Sequence, residues 1–178
     1  MQEDAKNYIS ALALAEDPKT TRREKAKAWF SAAKLERAHG MEIMGYEMFP
    51  DFNFAGGNFS LGNYLSPEEV KDKQFVTDEE LHRFDATRPI ISERFHYRYT
   101  AVQEAEKAAE LLPRRSQAYA AILCAATGWM LSTGATKPAA DLYRRYVKNG
   151  RAFDWASHFG HDCPEPDFSA LGNMDGAS

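Results

Sequence analysis

The chain has 178 residues, of which 44% are hydrophobic, 12% aromatic and 27% charged. This length and composition suit one domain of ordinary size. They exclude both a wholly disordered chain and a miniprotein that depends on disulfides for its stability. The 22 Lys and Arg residues stand against 26 Asp and Glu, a formal charge of −4. We therefore expect no nucleic-acid partner, because general nucleic-acid binders carry a basic excess. We also expect no membrane span, because no segment has the roughly 18 apolar residues that one needs.

The two cysteines, Cys124 and Cys163, are too few for a disulfide framework. Cys124 lies in an apolar helical run and is expected to be a small core residue, whereas Cys163 lies in a proline-rich tail. A bridge between them is the less favoured alternative, since nothing in the sequence indicates an oxidising compartment. The segment MQEDAKNYIS lacks the apolar core of a signal peptide, so we predict a cytoplasmic protein, with a removed export signal as the alternative.

Apolar residues at helical spacing predict a first helix over about residues 4–16, which an Asp-Pro pair ends. The second helix begins at Thr21, because Thr21 and Glu24 have the spacing of a capping box. Gly40 is the expected C-terminal stop of this helix.

Residues 41–90 interrupt the helical pattern. Glycines and aromatic residues are interspersed in DFNFAGGNFSLGNYL at 51–65, and this segment is too apolar for a free linker. We therefore expect an ordered insertion. Ser66 predicts the start of a short helix within it, and the capping-box pair Thr77 and Glu80 predicts another, which ends near Ala86.

Three long helices are predicted in the second half of the chain. The run over 91–112 places its apolar residues on one face and leaves Glu104 off that face. Ser116 caps a helix to Ser132 that is apolar nearly all round and is therefore expected in the middle of the fold. A helix over 136–148 and a short aromatic turn over 153–159 follow.

These elements predict an all-α fold with a single domain over residues 1–160, an irregular Gly- and aromatic-rich insertion at about 41–90, and a flexible tail over 161–178.

Small and aromatic residues recur at spacings typical of a helical repeat. Ala101, Ala108 and Pro113 match the second helix of a tetratricopeptide unit, in which small residues let neighbouring helices approach. Two further sets of residues have spacings of this type: Gly134, Ala139 and Tyr143 form one set, and Trp29, Ala33 and Gly40 form the other. The chain therefore resembles a degenerate tetratricopeptide-type helical repeat protein over 26–40 and 91–149. More narrowly, RFHYRY at 94–99, EAEKAAELLP at 104–113 and GGNF at 56–59 resemble the C-terminal repeat region of uncharacterised bacterial tetratricopeptide-like proteins.

The resemblance implies a scaffold or adaptor for protein–protein interaction that is not an enzyme and carries no cofactor. A partner segment would be buried against exposed aromatic side chains and oriented by arginine. Arg pairs at 114–115 and 144–145 would form a local positive patch, which favours an acidic protein or peptide as the partner. Because repeats need neighbours or caps, a second copy of the chain is the other expected partner. The candidate partner-binding residues are Asn53, Asn58, Arg94, His96, Tyr97 and Arg98.

An alternative function is a metal-dependent helical-bundle enzyme of the di-iron or di-manganese type. Three Glu-x-x-His pairs occur, and each would place a carboxylate and an imidazole on one helix face. The candidate ligands are Glu36, His39, Glu93 and His96, with Glu79 and His82 as the third pair. The favoured interpretation is that these pairs lie on solvated helix faces, because the additional bridging Glu residues are not evident.

A second candidate metal set is His158, His161 and Cys163. Zinc accepts these ligand types, but a structural site needs a fourth ligand and no Cys-x-x-Cys accompanies them. An incidental cluster is therefore the favoured interpretation.

Overall fold

A computed structural model of the protein describes residues 2–44, 76–87 and 97–171. The described residues contain six α-helices, two short 3-10 helices and no strand, so the predicted all-α fold class is confirmed. The helices are α1 (Gln2–Glu16), α2 (Arg22–Met44), α3 (Asp78–Thr87), α4 (Tyr97–Glu110), α5 (Gln117–Ser132) and α6 (Thr136–Asn149), and the 3-10 helices are Asp154–His158 and Ser169–Leu171. None of the described helices is long and apolar enough to cross a bilayer.

The chain divides into two compact units, one formed by Met1–Phe49 with Tyr97–Ser178 and the other by Pro50–His96. Helix α3 is the described part of the second unit. Its predicted capping box is present, since Glu80 N–H donates to Thr77 Oγ1 over 3.3 Å and Thr77 N–H donates to Glu80 Oε2 over 2.8 Å. The Gly- and aromatic-rich segment and the helix predicted at Ser66 lie outside the described residues. A single domain over 1–160 therefore stays a prediction.

Each helix of the first unit packs against the next one: α1 against α2, α2 against α4, α4 against α5, and α5 against α6. Fully buried alanines permit these close approaches, because their side chains end at the β-carbon. They are Ala26, Ala32, Ala33, Ala101, Ala105, Ala108, Ala109, Ala118, Ala120, Ala121 and Ala126. Larger side chains, among them Phe30, Ile122, Leu123 and Met130, fill the space between the helices.

Helix α5 is the most buried element, as its apolar sequence predicts. Most of its side chains have no contact with solvent. The Ser116 hydroxyl accepts the Tyr119 N–H over 3.1 Å and caps its first turn. Gly134 ends it with a φ of 76°, a left-handed conformation that glycine adopts without strain.

Helix α2 has the predicted start and is kinked next to its predicted end. Glu24 N–H donates to Thr21 Oγ1 over 3.3 Å, and Thr21 N–H donates to Glu24 Oε2 over 3.1 Å. The predicted stop at Gly40 is close to a real break: the backbone at His39 is not helical, with φ −131° and ψ 15°, and a short helical continuation beyond this kink reaches Met44. Gly40 also has a packing role, because a β-carbon there would collide with the Tyr97 ring of α4.

The segment over 153–171 is bound to the helices by covalent and polar contacts. A disulfide joins Cys124 of α5 to Cys163, with a Cα–Cα distance of 5.7 Å, so the expectation of unpaired cysteines is wrong. Lys34 of α2 contacts Glu165 over 3.0 Å, and the Gln117 side chain accepts the Asp167 N–H over 2.7 Å. The residues expected to begin a flexible tail are thus anchored as far as 171.

Candidate functional site

Most of the predicted partner-binding residues, namely Asn53, Asn58, Arg94 and His96, lie outside the described residues. The other two, Tyr97 and Arg98, are only 4% and 2% exposed. Arg98 Nε donates to the Tyr97 hydroxyl over 3.3 Å, and the Tyr97 ring fills the space beside Gly40. Because both side chains are buried at the junction of α2 and α4, they do not form an exposed binding surface.

The residues predicted for a metal site are not brought together in the described part of the chain. Glu36 is fully buried and His39 is half-buried, whereas Glu93 and His96 lie outside the described residues. Across residues 2–44, 76–87 and 97–171, no three His, Cys, Asp or Glu side chains are placed to hold a metal ion. The bundle-enzyme alternative therefore stays a prediction.

The other candidate metal residues lie on the surface, as the favoured interpretation predicts, apart from Cys163. Glu79 and His82 are both exposed on α3. His158 and His161 are exposed as well, and the Cys163 sulfur is bonded to Cys124. A zinc site at 158–163 would need Cys163 as a thiolate, which the disulfide precludes.

A buried cluster of one phenol and two carboxyl groups lies where α1, α2 and α4 meet. The Tyr8 hydroxyl lies 2.5 Å from Glu36 Oε2 and 2.8 Å from Glu104 Oε1. Glu36 is fully buried and Glu104 is 4% exposed, so the prediction that Glu104 lies off the core face of its helix is wrong. The remaining oxygens, Glu36 Oε1 and Glu104 Oε2, have no hydrogen-bond partner within the described residues.

Burial dominates the electrostatics of this cluster. It raises the pKa of Glu104 to about 7, against the opposing hydrogen bond from Tyr8, and it also raises the pKa of Glu36. The Tyr8 pKa is raised because its phenolate would be buried beside two acidic groups. The cluster therefore favours the protonated forms of its members at pH values where exposed carboxyl groups are ionised.

A basic cleft of about 260 Å³ lies between the C-terminal end of α4, the start of α5 and the last turn of α6. Its lining residues are Ala109, Glu110, Leu112, Arg114, Tyr119, Arg145 and Asn149. Ligand sites for drug-sized molecules usually measure about 300–1,000 Å³. This cleft therefore fits one or two side chains of a peptide better than a nucleotide or a bulky cofactor.

The two arginines of the basic cleft have different partners. Arg145 contacts Glu106 over 2.9 Å and Glu110 over 3.3 Å, so its charge is neutralised. Arg114 donates to Asn149 Oδ1 over 3.3 Å and has no carboxylate partner in the described part of the chain. Arg114 is an exposed residue, and its guanidinium is oriented by the Asn149 amide.

Comparison of the chain with protein-family models, with curated proteins and with solved structures finds no match. The tetratricopeptide-like character of the hairpins therefore stays a prediction from the residues.

The sequence contained a usable signal for each of these two sites. Glu104 follows Ala101 by three positions and precedes Ala108 by four, so helical spacing places it on the face of two buried alanines. The Arg pairs at 114–115 and 144–145 predicted a basic patch, and the structure brings one member of each pair into the same cleft.

Proposed function

We propose that this protein is a non-catalytic interaction module that binds an acidic segment of a partner protein. The observation that carries the proposal is the basic cleft, in which Arg114 is exposed and held by Asn149. A carboxylate is the natural ligand of such a guanidinium, because charge-assisted hydrogen bonds are about twice as strong as neutral ones.

The packing of the first unit supports a scaffold role. Its helices α1, α2, α4, α5 and α6 contact one another in that order, and small residues lie at the contacts between them. Proteins built in this way form extended surfaces from successive helical hairpins, and such surfaces suit the binding of a peptide or protein segment. The loop after α4 and the last turn of α6 would act together, since they contribute Arg114 and Asn149.

The size and charge of the cleft limit what it would accept. A volume of about 260 Å³ accommodates an acidic side chain and a neighbouring residue. Arg114 and Arg145 carry two positive charges and Glu106 and Glu110 two negative ones, so the attraction for an anionic group would come from the Arg114 guanidinium alone, on a protein whose formal charge is −4. The binding would weaken with salt, because exposed charges are screened within about 10 Å at 0.1 M ionic strength.

Fluorescence anisotropy with a labelled hexaglutamate peptide tests this proposal, with hexaglutamine as the neutral probe. We expect hexaglutamate to bind and hexaglutamine not to bind. Arg114→Ala should weaken hexaglutamate binding about tenfold or more, the usual worth of a charge-assisted hydrogen bond. Arg115→Ala is the matched control, because Arg115 is the exposed next residue and does not line the cleft.

Two outcomes would contradict the proposal. One is equal affinity for the acidic and the neutral peptide, and the other is equal weakening of hexaglutamate binding by the two substitutions.

A further inference from the structure

The number of hydrogen atoms in the Tyr8–Glu36–Glu104 cluster requires that it hold an extra proton. The Tyr8 hydroxyl has one hydrogen and can donate it to one carboxylate. Its oxygen nevertheless lies within hydrogen-bond distance of both carboxyl groups, 2.5 Å from Glu36 and 2.8 Å from Glu104. The second hydrogen bond therefore needs a protonated carboxyl group as its donor. With both carboxyl groups ionised, one of the two contacts would be repulsive.

We propose that this cluster is a proton-operated latch, which holds α1 against α2 and α4 at acidic pH and loosens α1 as the pH rises. The three members come from three different helices, so each hydrogen bond joins two helices. Loss of the proton would place two negative charges around one hydroxyl in a site that excludes water. Such a pair is unfavourable because neither charge is solvated.

Tyr8 of this cluster is one of only two buried side chains of helix α1. The buried side chains of α1 are Tyr8 and Ala15 alone. Its larger apolar residues Ile9 and Leu14 are 65% and 49% exposed. In contrast, α4 and α5 bury most of their side chains. A change in the hydrogen bonds of Tyr8 therefore acts on the largest buried side chain of α1.

The neighbouring charges do not cancel the effect. Lys107 of α4 attracts the Glu104 carboxylate and lowers its pKa, but burial raises it more strongly, and Glu36 adds a repulsive charge. The Lys107 ammonium also lies 4.2 Å from the centre of the Trp29 ring of α2. Asp4 of α1 interacts with His39 of α2, and neither residue is among the groups that shift the cluster.

The direction of the pH dependence follows from the raised carboxyl pKa values. In the unfolded or undocked state, Glu104 releases its proton near its ordinary value of 4.5, whereas in the docked state it releases it near 7. The docked state therefore binds more protons in this interval, and its stability falls as the pH rises through it. At a factor of ten per pH unit, the docking equilibrium of α1 falls on the order of 300-fold over the whole interval from 4.5 to 7.

Hydrogen exchange of the full chain at pH 5.5 and pH 8.5, corrected for intrinsic exchange rates, tests the latch. We expect the protection of α1 amides to fall about 30-fold between the two conditions, because 1.5 pH units separate pH 5.5 from the docked pKa of Glu104, and that of α5 amides to change far less. Unchanged protection of α1, or a parallel loss in α1 and α5, would overturn the proposal. This measurement needs no variant and thus does not depend on a substituted chain folding.

Two substitutions then assign the pH response to the cluster. Glu104→Gln puts a neutral group of the same shape in the cluster, so protection of α1 should fall clearly less between the two pH values than in the wild type, with Glu36 as the remaining buried carboxyl group. Glu42→Gln is the control, since Glu42 is an exposed carboxyl group on α2, and it should keep the wild-type response. If Glu104→Gln does not fold, Glu36→Gln serves the same purpose. A wild-type response in the folded variant of the cluster would overturn the assignment.

Discussion

Helix α1 and the segment over 153–171 are both attached to the same helical unit, but by different chemistry. Helix α1 is held by hydrogen bonds among Tyr8, Glu36 and Glu104. It buries only two of its own side chains, those of Tyr8 and Ala15. The segment over 153–171 is held by the Cys124–Cys163 disulfide and by aromatic packing. The first attachment responds to protons and the second to reductants, so the two ends of one unit would loosen under different conditions.

Aromatic stacking adds a second reason for the firmness of the C-terminal segment. The ring centres of Phe159 and Tyr146 of α6 are 4.4 Å apart, and Trp155 stacks between Phe153 and Phe159 at 5.4 and 6.2 Å. Offset or tilted aromatic pairs contribute about 0.5–1.5 kcal/mol each beyond the area that they bury. Within the described residues, no comparable set of aromatic rings packs α1 against α2 or α4.

Reduction of the disulfide should have the largest effect on stability. The cysteines are separated by 39 positions, and cross-links around loops of this size contribute about 4 kcal/mol, mainly by restricting the unfolded chain. Urea unfolding with and without dithiothreitol measures the loss. The variant Cys163→Ser should have the lower stability and show no response to dithiothreitol. Equal midpoints for the wild type with and without reductant would contradict the disulfide attachment.

Tyr8→Phe should have the next largest effect. It removes the hydroxyl that both carboxyl groups share and leaves buried polar atoms without a partner, which costs about 2 kcal/mol. Urea unfolding at pH 5.5 measures the change in free energy. Tyr143→Phe is the matched control, because Tyr143 is 45% exposed and its substitution should cost less than about 0.5 kcal/mol. Similar losses for the two variants would show that the Tyr8 hydroxyl does not secure α1.

Gly128→Ala should loosen the C-terminal segment and leave α1 in place. A β-carbon at Gly128 would lie 2.5 Å from the Gly160 carbonyl oxygen, so the turn that contains Gly160 must move. The displacement costs about 1–3 kcal/mol and the better helix propensity of alanine returns about 1 kcal/mol, which leaves a net loss of about 1 kcal/mol.

Hydrogen exchange locates the effect of Gly128→Ala. Protection should fall in 153–171 and not in α1. A stabilised variant, or equal loss of protection in both regions, would be inconsistent with the close approach of α5 to this turn.

Lys34→Ala should have the smallest effect. The Lys34–Glu165 ion pair joins α2 to the C-terminal segment, but its side chains are 48% and 80% exposed. Exposed pairs typically contribute 1 kcal/mol or less, so we expect a loss below about 0.5 kcal/mol by urea unfolding. A loss above about 2 kcal/mol would mean that this ion pair, rather than the disulfide, secures the segment.

Local sequence features predicted the helices and their starts well. The capping boxes at Thr21 and Thr77 and the cap at Ser116 are present, because each depends on residues within one turn. The central position of α5 also followed from its composition, since a helix that is apolar on all sides must be buried.

Features that depend on distant residues were not predictable in the same way. The pairing of Cys124 with Cys163 depends on how the chain returns to α5, and the spacing of two cysteines does not determine that path. The local sequence at Gly40 predicts the nearby helix break but not the close packing of Tyr97, which comes from a distant part of the chain. For Glu104 the local signal existed, but its charge was taken as evidence of exposure. For Glu104 the charge predicts exposure and the helical spacing predicts burial, and the structure agrees with the spacing.

The most direct test of the account is hydrogen exchange of the wild-type chain under four conditions: pH 5.5 and pH 8.5, each with and without a reductant that is active at both values, tris(2-carboxyethyl)phosphine. We predict that raising the pH lowers protection in α1 and not in 153–171. We also predict that reduction lowers protection in 153–171 and not in α1. Loss of protection in both regions together, under either change, would contradict the claim that the two attachments are separate.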